Sequence, residues 1–289
     1  MIDRPKWIKK RITNMESIEE TTAILRGLSL NTVCEGAQCP NIGECFGNKT
    51  ATFMIMGEVC TRRCRFCAVP KGEAQCLDDK EPANIGIACS KLGLEHVVIT
   101  SVTRDDIPDG GAGHFAKTVS EIRRQNPNTT IELLIPDLQG DWEALKVIID
   151  SKPDILNHNL ETVPVLYDEV RPQANYERSL ELLKKVKEID KNIHTKSGIM
   201  LGLGEKEEDV LKLMDDLIGV GCDILTVGQY LQPSNEHIDL KEYIHPDKFK
   251  EYERIGLEKG FKYVASGPLV RSSFNASIGM KKLEETSCE

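Results

Sequence analysis

Short apolar segments alternate with helix-like segments along most of the chain. Six segments rich in Val, Ile, Leu and Thr are nearly continuously apolar, as in parallel strands buried on both faces. These predicted strands are 51–57, 96–102, 131–136, 154–161, 194–202 and 223–231. Predicted helices follow them at 81–93, 113–125, 140–151, 176–190, 206–220 and 246–260. The alternation predicts an α/β fold built from repeated β/α units.

The strand spacing, roughly 20 to 45 residues, is typical of a doubly wound sheet or a TIM-type barrel. Six units would leave such a barrel incomplete, and no Pro-, Gly- or Ser-rich linker divides the chain. We therefore expect a partial TIM-type (β/α)6 barrel over residues 51–260. Residues 1–50 and 261–289 are expected to form amino- and carboxyl-terminal extensions.

Composition narrows the functional classes. The 289 residues are 40% hydrophobic with a net charge of −9, which is typical of globular proteins and argues against a nucleic-acid-binding surface. No apolar run approaches the roughly 18 residues of a membrane span, and the amino end does not resemble a secretion signal. We expect a cytoplasmic protein. The basic start, including Lys9 and Lys10, is either a solvated segment or a patch for an acidic partner.

Ten cysteines are many for a chain without a secretion signal, and clustered cysteines in a reducing compartment indicate metal binding or catalysis. Six of them form two triplets, C-x4-C-x5-C and C-x3-C-x2-C: Cys34, Cys39 and Cys45, then Cys60, Cys64 and Cys67. Neither triplet supplies the four ligands of structural zinc, so iron–sulfur clusters are favoured over zinc. Cys89 and Cys222 are interpreted as core residues.

The second triplet directly follows the first predicted strand, and active sites of such folds lie at the carboxyl ends of the strands. A four-iron cluster held by three cysteines leaves one iron open for a substrate or cofactor. The C-x3-C-x2-C spacing, with Phe66 just before the last cysteine, resembles the radical S-adenosylmethionine enzymes. The resemblance implies that the open iron binds S-adenosylmethionine and that the reduced cluster generates a 5′-deoxyadenosyl radical.

Further segments resemble one family of these enzymes, the lipoyl synthases, over roughly residues 5 to 280. They are RPKWIKKRI, CEGAQCPNIGEC, TSVTRDDIPDGGAGHF, NHNLETV, VRPQANYERSL, TKSGIMLGLGE, LTVGQYLQPS and GPLVRSSF. The resemblance implies a sulfurtransferase that inserts two sulfur atoms at C6 and C8 of an octanoyl-lysine. It also implies two 4Fe–4S clusters, one consumed as the sulfur source, and S-adenosylmethionine as cofactor. The implied partners are an octanoylated lipoyl carrier protein or lipoyl domain and a low-potential electron donor of the flavodoxin or ferredoxin type.

The resemblance also assigns residue roles. The ligands implied for the radical cluster are Cys60, Cys64 and Cys67, and those for the auxiliary cluster are Cys34, Cys39, Cys45 and Ser273. The implied cofactor contacts are Phe66, Asn159, Glu161, Arg171, Gly198, Ile199, Gly202 and Glu205. No side chain is assigned as a general acid or base. Phe274 stands where the family usually has Tyr, and Cys288 is an alternative auxiliary ligand.

Structural roles are open alternatives for several residues. Arg171 is a cofactor ligand or a surface ion-pair partner of Glu169 or Glu177, and Glu205 is a cofactor contact or part of a helix start. The aspartates that follow the second strand are expected to stabilise a turn by accepting hydrogen bonds from the backbone; they are Asp105, Asp106 and Asp109. The loop arginines either raise the positive charge beside the cluster or are simply solvated; they are Arg62, Arg63 and Arg65.

Alternative functions are a methylthiotransferase, a biotin synthase and an iron–sulfur scaffold. A methylthiotransferase would place its auxiliary cysteines differently and add an RNA-binding domain, and a biotin synthase would lack the first triplet. A scaffold would not need six β/α units around a cofactor-sized site.

Overall fold

The computed structural model describes residues 3–9, 14–36, 39, 41–47, 50–274, 276, 278–280 and 282. Eight strands form one sheet in chain order, with a first strand antiparallel to the second and parallel pairing from the second to the eighth. The strands are β1 Asn31–Thr32, β2 Thr50–Ile55, β3 His96–Ser101, β4 Thr130–Leu134, β5 Ile155–Asn157, β6 His194–Leu201, β7 Ile224–Gln229 and β8 Tyr263–Gly267. Within the described residues the sheet does not close on itself, so it is an open, partial barrel.

Ten α-helices accompany the sheet in the described part of the chain. They are α1 Met15–Gly27, α2 Val33–Gly36, α3 Ile42–Gly47, α4 Glu81–Leu92, α5 Ala112–Gln125, α6 Trp142–Asp150, α7 Tyr167–Val170, α8 Tyr176–Ile189, α9 Glu207–Gly219 and α10 Pro246–Lys259. The predictions of six strands and six helices are confirmed, within a few residues at each end. Among the described helices, none combines the length and the apolar character that crossing a membrane would require.

The predicted periodicity reflects burial from both sides of the sheet. Every residue of β2 and of β7 is buried, which explains their continuous apolar sequences. Cys89 and Cys222 are 1% and 3% exposed in the main core, as predicted. Gly93 ends α4 in the left-handed conformation, with φ 59°, which glycine adopts without steric cost.

The structure adds two strands that the sequence pattern did not reveal. Strand β1 has only two residues, too few for a periodicity. Strand β8 (Tyr263–Gly267) is only partly buried and consists largely of small residues, so its apolar signal is weak. It lies beyond residue 260, and the parallel sheet therefore has seven strands, β2–β8, rather than six.

The interior face of the sheet contains a buried ionic layer. Glu132 on β4 is fully buried and accepts from Lys196 Nζ on β6 at 2.9 and 3.0 Å. Asn157 on β5 donates to the same carboxylate at 2.9 Å. These three side chains link β4, β5 and β6 across the interior of the sheet.

Candidate active site

The cysteine loop starts from a strained turn directly after β2. Met56 has φ 67° and Gly57 has φ 96°, and a left-handed Met is uncommon. The N–H of Met56 donates to Glu81 Oε2 at 2.9 Å, and His114 Nε2 lies 2.7 Å from the same oxygen. The carbonyl of Met56 accepts from Arg104 at 3.3 Å. Buried polar groups thus hold the turn that directs the loop over the carboxyl edge of the sheet.

The loop gathers the three thiols of the second triplet. Cys60 Sγ accepts from the backbone N–H groups of Arg62 at 3.5 Å and Thr103 at 3.3 Å. Burial, with smaller contributions from charge on Cys64 and Cys60, raises the pKa of Cys67 to about 11. The three thiols therefore lie within electrostatic reach of one another. They would ionise readily only when a positive centre compensates their burial.

Within the described residues, no three side chains of His, Cys, Asp or Glu are placed as the ligands of a single metal ion. The thiolates of a four-iron cluster bind different irons and need not converge on one point. Soft sulfur donors match iron–sulfur chemistry, so the donor set of Cys60, Cys64 and Cys67 is suited to a cluster.

Arg62 connects this loop to the neighbouring strands. Its side chain is 4% exposed and pairs with Asp105 at 2.7 Å and with Asp137 at 2.6 Å. The expectation of a solvated loop charge is therefore wrong for Arg62, whereas its positive charge does act on the Cys64 thiol, where it opposes the rise in pKa that burial causes. Arg63 and Arg65 are exposed, as solvated loop charges are.

The predicted role in stabilising a turn is confirmed for only one of the three loop aspartates. Asp109 accepts from the N–H groups of Gly111 at 2.9 Å and Gly113 at 2.8 Å, at the start of α5. Asp105 instead pairs with the buried arginine of the cysteine loop, and Asp106 pairs with Arg104 at 2.8 Å. The partner of Asp105 is 43 residues away in sequence, whereas the partner of Asp106 is two residues away.

A polar pocket lies at the carboxyl ends of β5 and β6. Glu161 has φ 66°, and its N–H donates to the carbonyl of Gly198 at 2.9 Å. Asn159 Nδ2 donates to Glu161 Oε1 at 3.1 Å and to Ser272 Oγ at 3.3 Å. Asn159 Oδ1 is buried and accepts no hydrogen bond from the described residues. A Cβ on Gly198 would stand 2.9 Å from this oxygen and 2.5 Å from Thr226 Oγ1, so a side chain at this position would collide with both groups.

Arg171 is buried beneath this pocket. Its Nη1 donates to the carbonyls of Asn159 at 2.8 Å and Leu160 at 3.0 Å, and to the hydroxyl of Tyr167 at 3.2 Å. The alternative of a surface ion pair with Glu169 or Glu177 was therefore wrong. Arg171 Nε is buried and donates no hydrogen bond within the described residues, so one guanidinium hydrogen remains for a ligand.

Electrostatic effects in the pocket oppose one another. Burial raises the pKa of Glu161, and the Arg171 guanidinium acts against this rise. Burial also raises the pKa of Cys64, again against the effect of Arg171. The pocket and the cysteine loop therefore share one buried positive charge, which places them at the same site.

The segment after β6 is a turn stabilised by Glu205. Its carboxylate accepts from the N–H groups of Gly202 at 2.6 Å and Leu203 at 2.9 Å. Gly202 has φ 98°, and a Cβ there would stand 2.3 Å from Gln229 Nε2. β6 ends at Leu201 and α9 begins at Glu207, so the structural interpretation of Glu205, as part of the connection into a helix, is confirmed.

The two apolar residues predicted to contact the cofactor, Phe66 and Ile199, differ in their surroundings. Phe66 packs against a small buried cluster that includes Tyr230 and Leu203. Ile199 is 4% exposed and its side chain belongs to the main core, so it can present only backbone atoms to a ligand.

The first triplet lies on α2, α3 and the segment between them. The N–H of Cys39 donates to the carbonyl of Cys34 at 3.0 Å, and the N–H of Cys45 donates to the carbonyl of Asn41 at 2.9 Å. Burial raises the pKa of Cys34 to about 11, with a further contribution from Cys39. The three cysteines are therefore held along one short, hydrogen-bonded stretch.

Residues 269–274, which we call the RSS segment, connect this stretch to the barrel. Asn41 Nδ2 donates to the carbonyl of Leu269 at 2.7 Å. Burial lowers the pKa of Arg271, and the Cys39 thiol acts against this effect, which indicates that the two side chains are close. The RSS segment, which includes Ser273, is thus held against the first triplet through Leu269 and Arg271. Cys288 lies outside the described residues.

Sequence reasoning missed the residues that hold these elements in place. Asp137 forms a buried ion pair with Arg62, which is distant in sequence, and the buried Arg104 pairs with the exposed Asp106 two residues on. Ser272 was passed over in favour of the neighbouring serine. The only available signal was the presence of Ser272 in the R-S-S motif itself.

Comparison with known proteins places this site in a family. Residues 54–217 match the Radical SAM superfamily. The chain is 57% identical over 279 residues to the lipoyl synthase of Caldanaerobacter subterraneus subsp. tengcongensis, covering 96% of this chain and 98% of the relative. It is 55% identical over 282 residues to the lipoyl synthase of Alkaliphilus metalliredigens, covering 98% and 97%.

Solved structures share the fold at low sequence identity. Methylornithine synthase (PylB) aligns with a TM-score of 0.56 at 13% identity, covering 95% of this chain and 96% of that one. Streptococcus suis SuiB bound to its precursor peptide SuiA aligns with a TM-score of 0.59 at 15% identity, covering 92% and 57%. These likenesses concern the fold alone, whereas the identities above extend over nearly the whole chain. The chain belongs to the lipoyl synthase family of the Radical SAM superfamily.

Proposed function

We propose that this protein is a lipoyl synthase, a sulfurtransferase that inserts sulfur at C6 and C8 of an octanoyl group bound to a lysine of a lipoyl carrier protein or lipoyl domain. The observation that carries the proposal is the meeting of three elements at one barrel edge. They are the C-x3-C-x2-C loop, the C-x4-C-x5-C stretch and the RSS segment. Identity above 50% to lipoyl synthases over nearly the full chain supports it.

Two 4Fe–4S clusters fit the donor sets. We assign one cluster to Cys60, Cys64 and Cys67, in the barrel over residues 51–260. We assign the other, the sulfur source, to three cysteines of the extension 1–50 and to a serine of the extension 261–289, namely Cys34, Cys39, Cys45 and Ser273. An alkoxide matches soft iron less well than a thiolate does, which suits a ligand that must leave. The first cluster with S-adenosylmethionine supplies the one-electron chemistry that removes hydrogen from unactivated carbon.

The polar pocket fits the cofactor. Asn159 Oδ1 and Arg171 Nε are a buried acceptor and a buried donor without partners among the described residues, and each needs a partner when no water reaches it. We assign Asn159 Oδ1 to a hydroxyl or ammonium donor of S-adenosylmethionine and Arg171 Nε to its carboxylate. Glu161 accepts from a second donor of the cofactor. These groups orient the cofactor without taking its protons.

The remaining candidates form the walls of the pocket. We assign the backbone of Gly198, Ile199 and Gly202 to contacts with the adenine, since two of these residues carry no side chain. Glu205 maintains the turn at the end of β6 on which this surface depends. Phe66 contributes an apolar wall, which excludes water from the reacting centre.

We further propose a low-potential flavodoxin- or ferredoxin-type protein as the electron donor and the cytoplasm as the compartment. Clustered thiols and iron–sulfur clusters persist best where the redox poise is reducing, which supports this location. The basic start of the chain is our candidate contact for the acidic carrier, and Lys10 lies outside the described residues.

The test is the mass of an octanoyl-lysine peptide after anaerobic incubation with cluster-loaded protein, S-adenosylmethionine and dithionite. We expect a product in which two sulfurs have replaced two hydrogens. Cys64→Ala should abolish cleavage of S-adenosylmethionine, whereas Cys39→Ala should preserve cleavage and abolish sulfur insertion. Cys89→Ala, a core cysteine outside both triplets, is the matched control and should retain both activities. Cleavage by the wild type with an unchanged peptide would refute the assignment.

A further inference from the structure

We propose that Ser272 is a positioning residue that couples the cofactor pocket to the auxiliary cluster through its hydrogen bond with Asn159. The inference rests on the proposed function, because it takes the polar pocket as the S-adenosylmethionine site. It concerns the first serine of the R-S-S motif, not the serine assigned as a cluster ligand. Its basis is a side-chain hydrogen bond between the RSS segment and a cofactor-pocket residue, at 3.3 Å.

Ser272 and Glu161 together decide which way the Asn159 amide faces. An amide nitrogen carries two hydrogens, and Asn159 uses both, on Glu161 Oε1 at 3.1 Å and on Ser272 Oγ at 3.3 Å. The amide oxygen is thereby turned toward Gly198, where it is buried and accepts no hydrogen bond from the described residues. Rotating the amide by half a turn would place its oxygen against the Glu161 carboxylate. The serine therefore helps to present an acceptor, rather than a donor, to the cofactor.

The residues just before Ser272 are fixed to the barrel and to the first triplet. Leu269 accepts from Asn41, and Arg271 Nη1 donates to the carbonyl of Val270 at 2.7 Å and to that of Gln229 at 3.4 Å. The carbonyl of Val270 lies so close to Gly228 that a Cβ there would stand 2.3 Å from it. Ser272 is the next residue of this anchored stretch, and its hydrogen bond extends the anchoring into the pocket.

The two sites therefore share one element. Consecutive Cα atoms lie about 3.8 Å apart, so a shift of Ser272 moves Ser273 by a similar amount. A cofactor that hydrogen-bonds to Asn159 changes the hydrogen bond between Asn159 and Ser272, and so changes the position of Ser273, the proposed ligand of the auxiliary cluster. By reciprocity, ligation of Ser273 to the cluster changes the affinity of the pocket for S-adenosylmethionine by the same factor.

The expected effect is that of one neutral hydrogen bond, about fivefold in affinity. The test measures the dissociation constant of S-adenosylmethionine by equilibrium dialysis, using anaerobic protein loaded with both clusters. Ser272→Thr keeps the hydroxyl and Ser272→Val keeps the same shape without it. We expect the threonine variant to bind as the wild type and the valine variant to bind about fivefold more weakly. Ser266→Ala is the matched control, since Ser266 Oγ on β8 has no hydrogen-bond partner among the described residues.

A second measurement tests the coupling itself. Cys39→Ala removes a proposed auxiliary ligand, and it should change the dissociation constant in the wild-type background but not together with Ser272→Val. Equal dissociation constants for the threonine and valine variants would overturn the positioning role, and an unaltered effect of Cys39→Ala in the valine background would overturn the coupling. Failure of the wild type to bind S-adenosylmethionine would instead overturn the proposed function, so the two failures are distinguishable.

Discussion

Replacing Lys196 by Met tests whether the interior of the barrel depends on its buried ionic layer. The methionine retains an unbranched apolar stem of similar length but removes the ammonium that donates to both oxygens of Glu132. Glu132 is fully buried, so it cannot recover the lost interaction from bulk water. Asn157 remains as a donor at 2.9 Å, which satisfies only one of the two oxygens.

Two routes give a similar magnitude for the loss. Removing one partner of a buried ion pair typically costs about 3–5 kcal/mol because a charge is left uncompensated. Burial raises the pKa of Glu132, but Lys196 and His96 outweigh burial and lower it from 4.5 to about 2. At roughly 1.4 kcal/mol per pKa unit, this shift corresponds to about 3 kcal/mol of stabilisation at neutral pH. For a chain of this size, a loss of 3–5 kcal/mol lowers the melting temperature by about 6–10 °C.

The pH dependence distinguishes an ion pair from simple packing. In the wild type the lowered pKa means that the contribution of Glu132 is present above pH 4.5 and is lost only as the pH falls toward about 2. In Lys196→Met, burial acts without its main opposing charge and raises the pKa of Glu132. A raised carboxyl pKa reverses the direction in which stability changes with pH. The variant is therefore less destabilised at acidic pH and loses stability as the pH rises. His96 Nε2 lies 3.7 Å from Glu132 and faces the same carboxylate, so His96 is left unchanged in every variant that is compared.

The assay is thermal unfolding of cluster-loaded protein followed by far-UV circular dichroism, at one scan rate, between pH 6 and 8.5. We expect the melting temperature of Lys196→Met to fall with rising pH by several degrees more than that of the wild type. Adding Glu132→Gln should remove this pH dependence and restore part of the lost stability. Lys184→Met, an exposed lysine 3.8 Å from Glu188, should have almost no effect. A change below about 2 °C at pH 8 would show that Glu132 does not depend on the ion pair, and a slope equal to that of the wild type would show that burial does not raise its pKa in the variant.

Three further substitutions test the pocket and the turn that precedes the cysteine loop. Gly198→Ala places a methyl group 2.9 Å from Asn159 Oδ1, and we expect at least tenfold weaker binding of S-adenosylmethionine in equilibrium dialysis. Arg171→Met leaves two buried carbonyls without their donor, and we expect melting to fall by at least about 6 °C in circular dichroism, with a change below about 2 °C counting against the role. Glu81→Gln can still accept from Met56 but loses its charge, and we expect a loss of about 1–3 kcal/mol in the same assay.

The sequence was informative about the fold because burial is periodic. Strands such as β2 and β7 are enclosed on both faces, and their apolar runs predict them directly. Strand β8 was missed because its alanine, serine and glycine carry little apolar surface, although β7 pairs with it over five residues. Its existence depends on a neighbour rather than on its own composition, which is why periodicity does not reveal it.

The site was predictable only where chemistry requires a fixed spacing. The two cysteine triplets follow from their spacing, because one short segment must supply several thiols. Arg171 is different. A guanidinium close to two glutamates in sequence indicates a surface ion pair as readily as a buried ligand, and only the fold shows that it lies beneath Asn159. Likewise, the partner of Arg62 is Asp137, which is distant in sequence and carries no local signal.

Three departures from regular strand geometry explain how this barrel edge becomes a site. β2, β5 and β6 are each followed by a residue with positive φ, namely Met56, Glu161 and Gly202. Two of the three are not glycine, so their conformation is unfavourable in isolation and must be maintained by the surroundings. Glu161 is held by backbone hydrogen bonds to β6, and Met56 by Glu81 and Arg104. Each turn moves the chain off the strand direction just where the cysteine loop, the Glu161 carboxylate or the proposed adenine surface projects. Substitutions at their supporting residues should therefore alter the site before they alter the sheet.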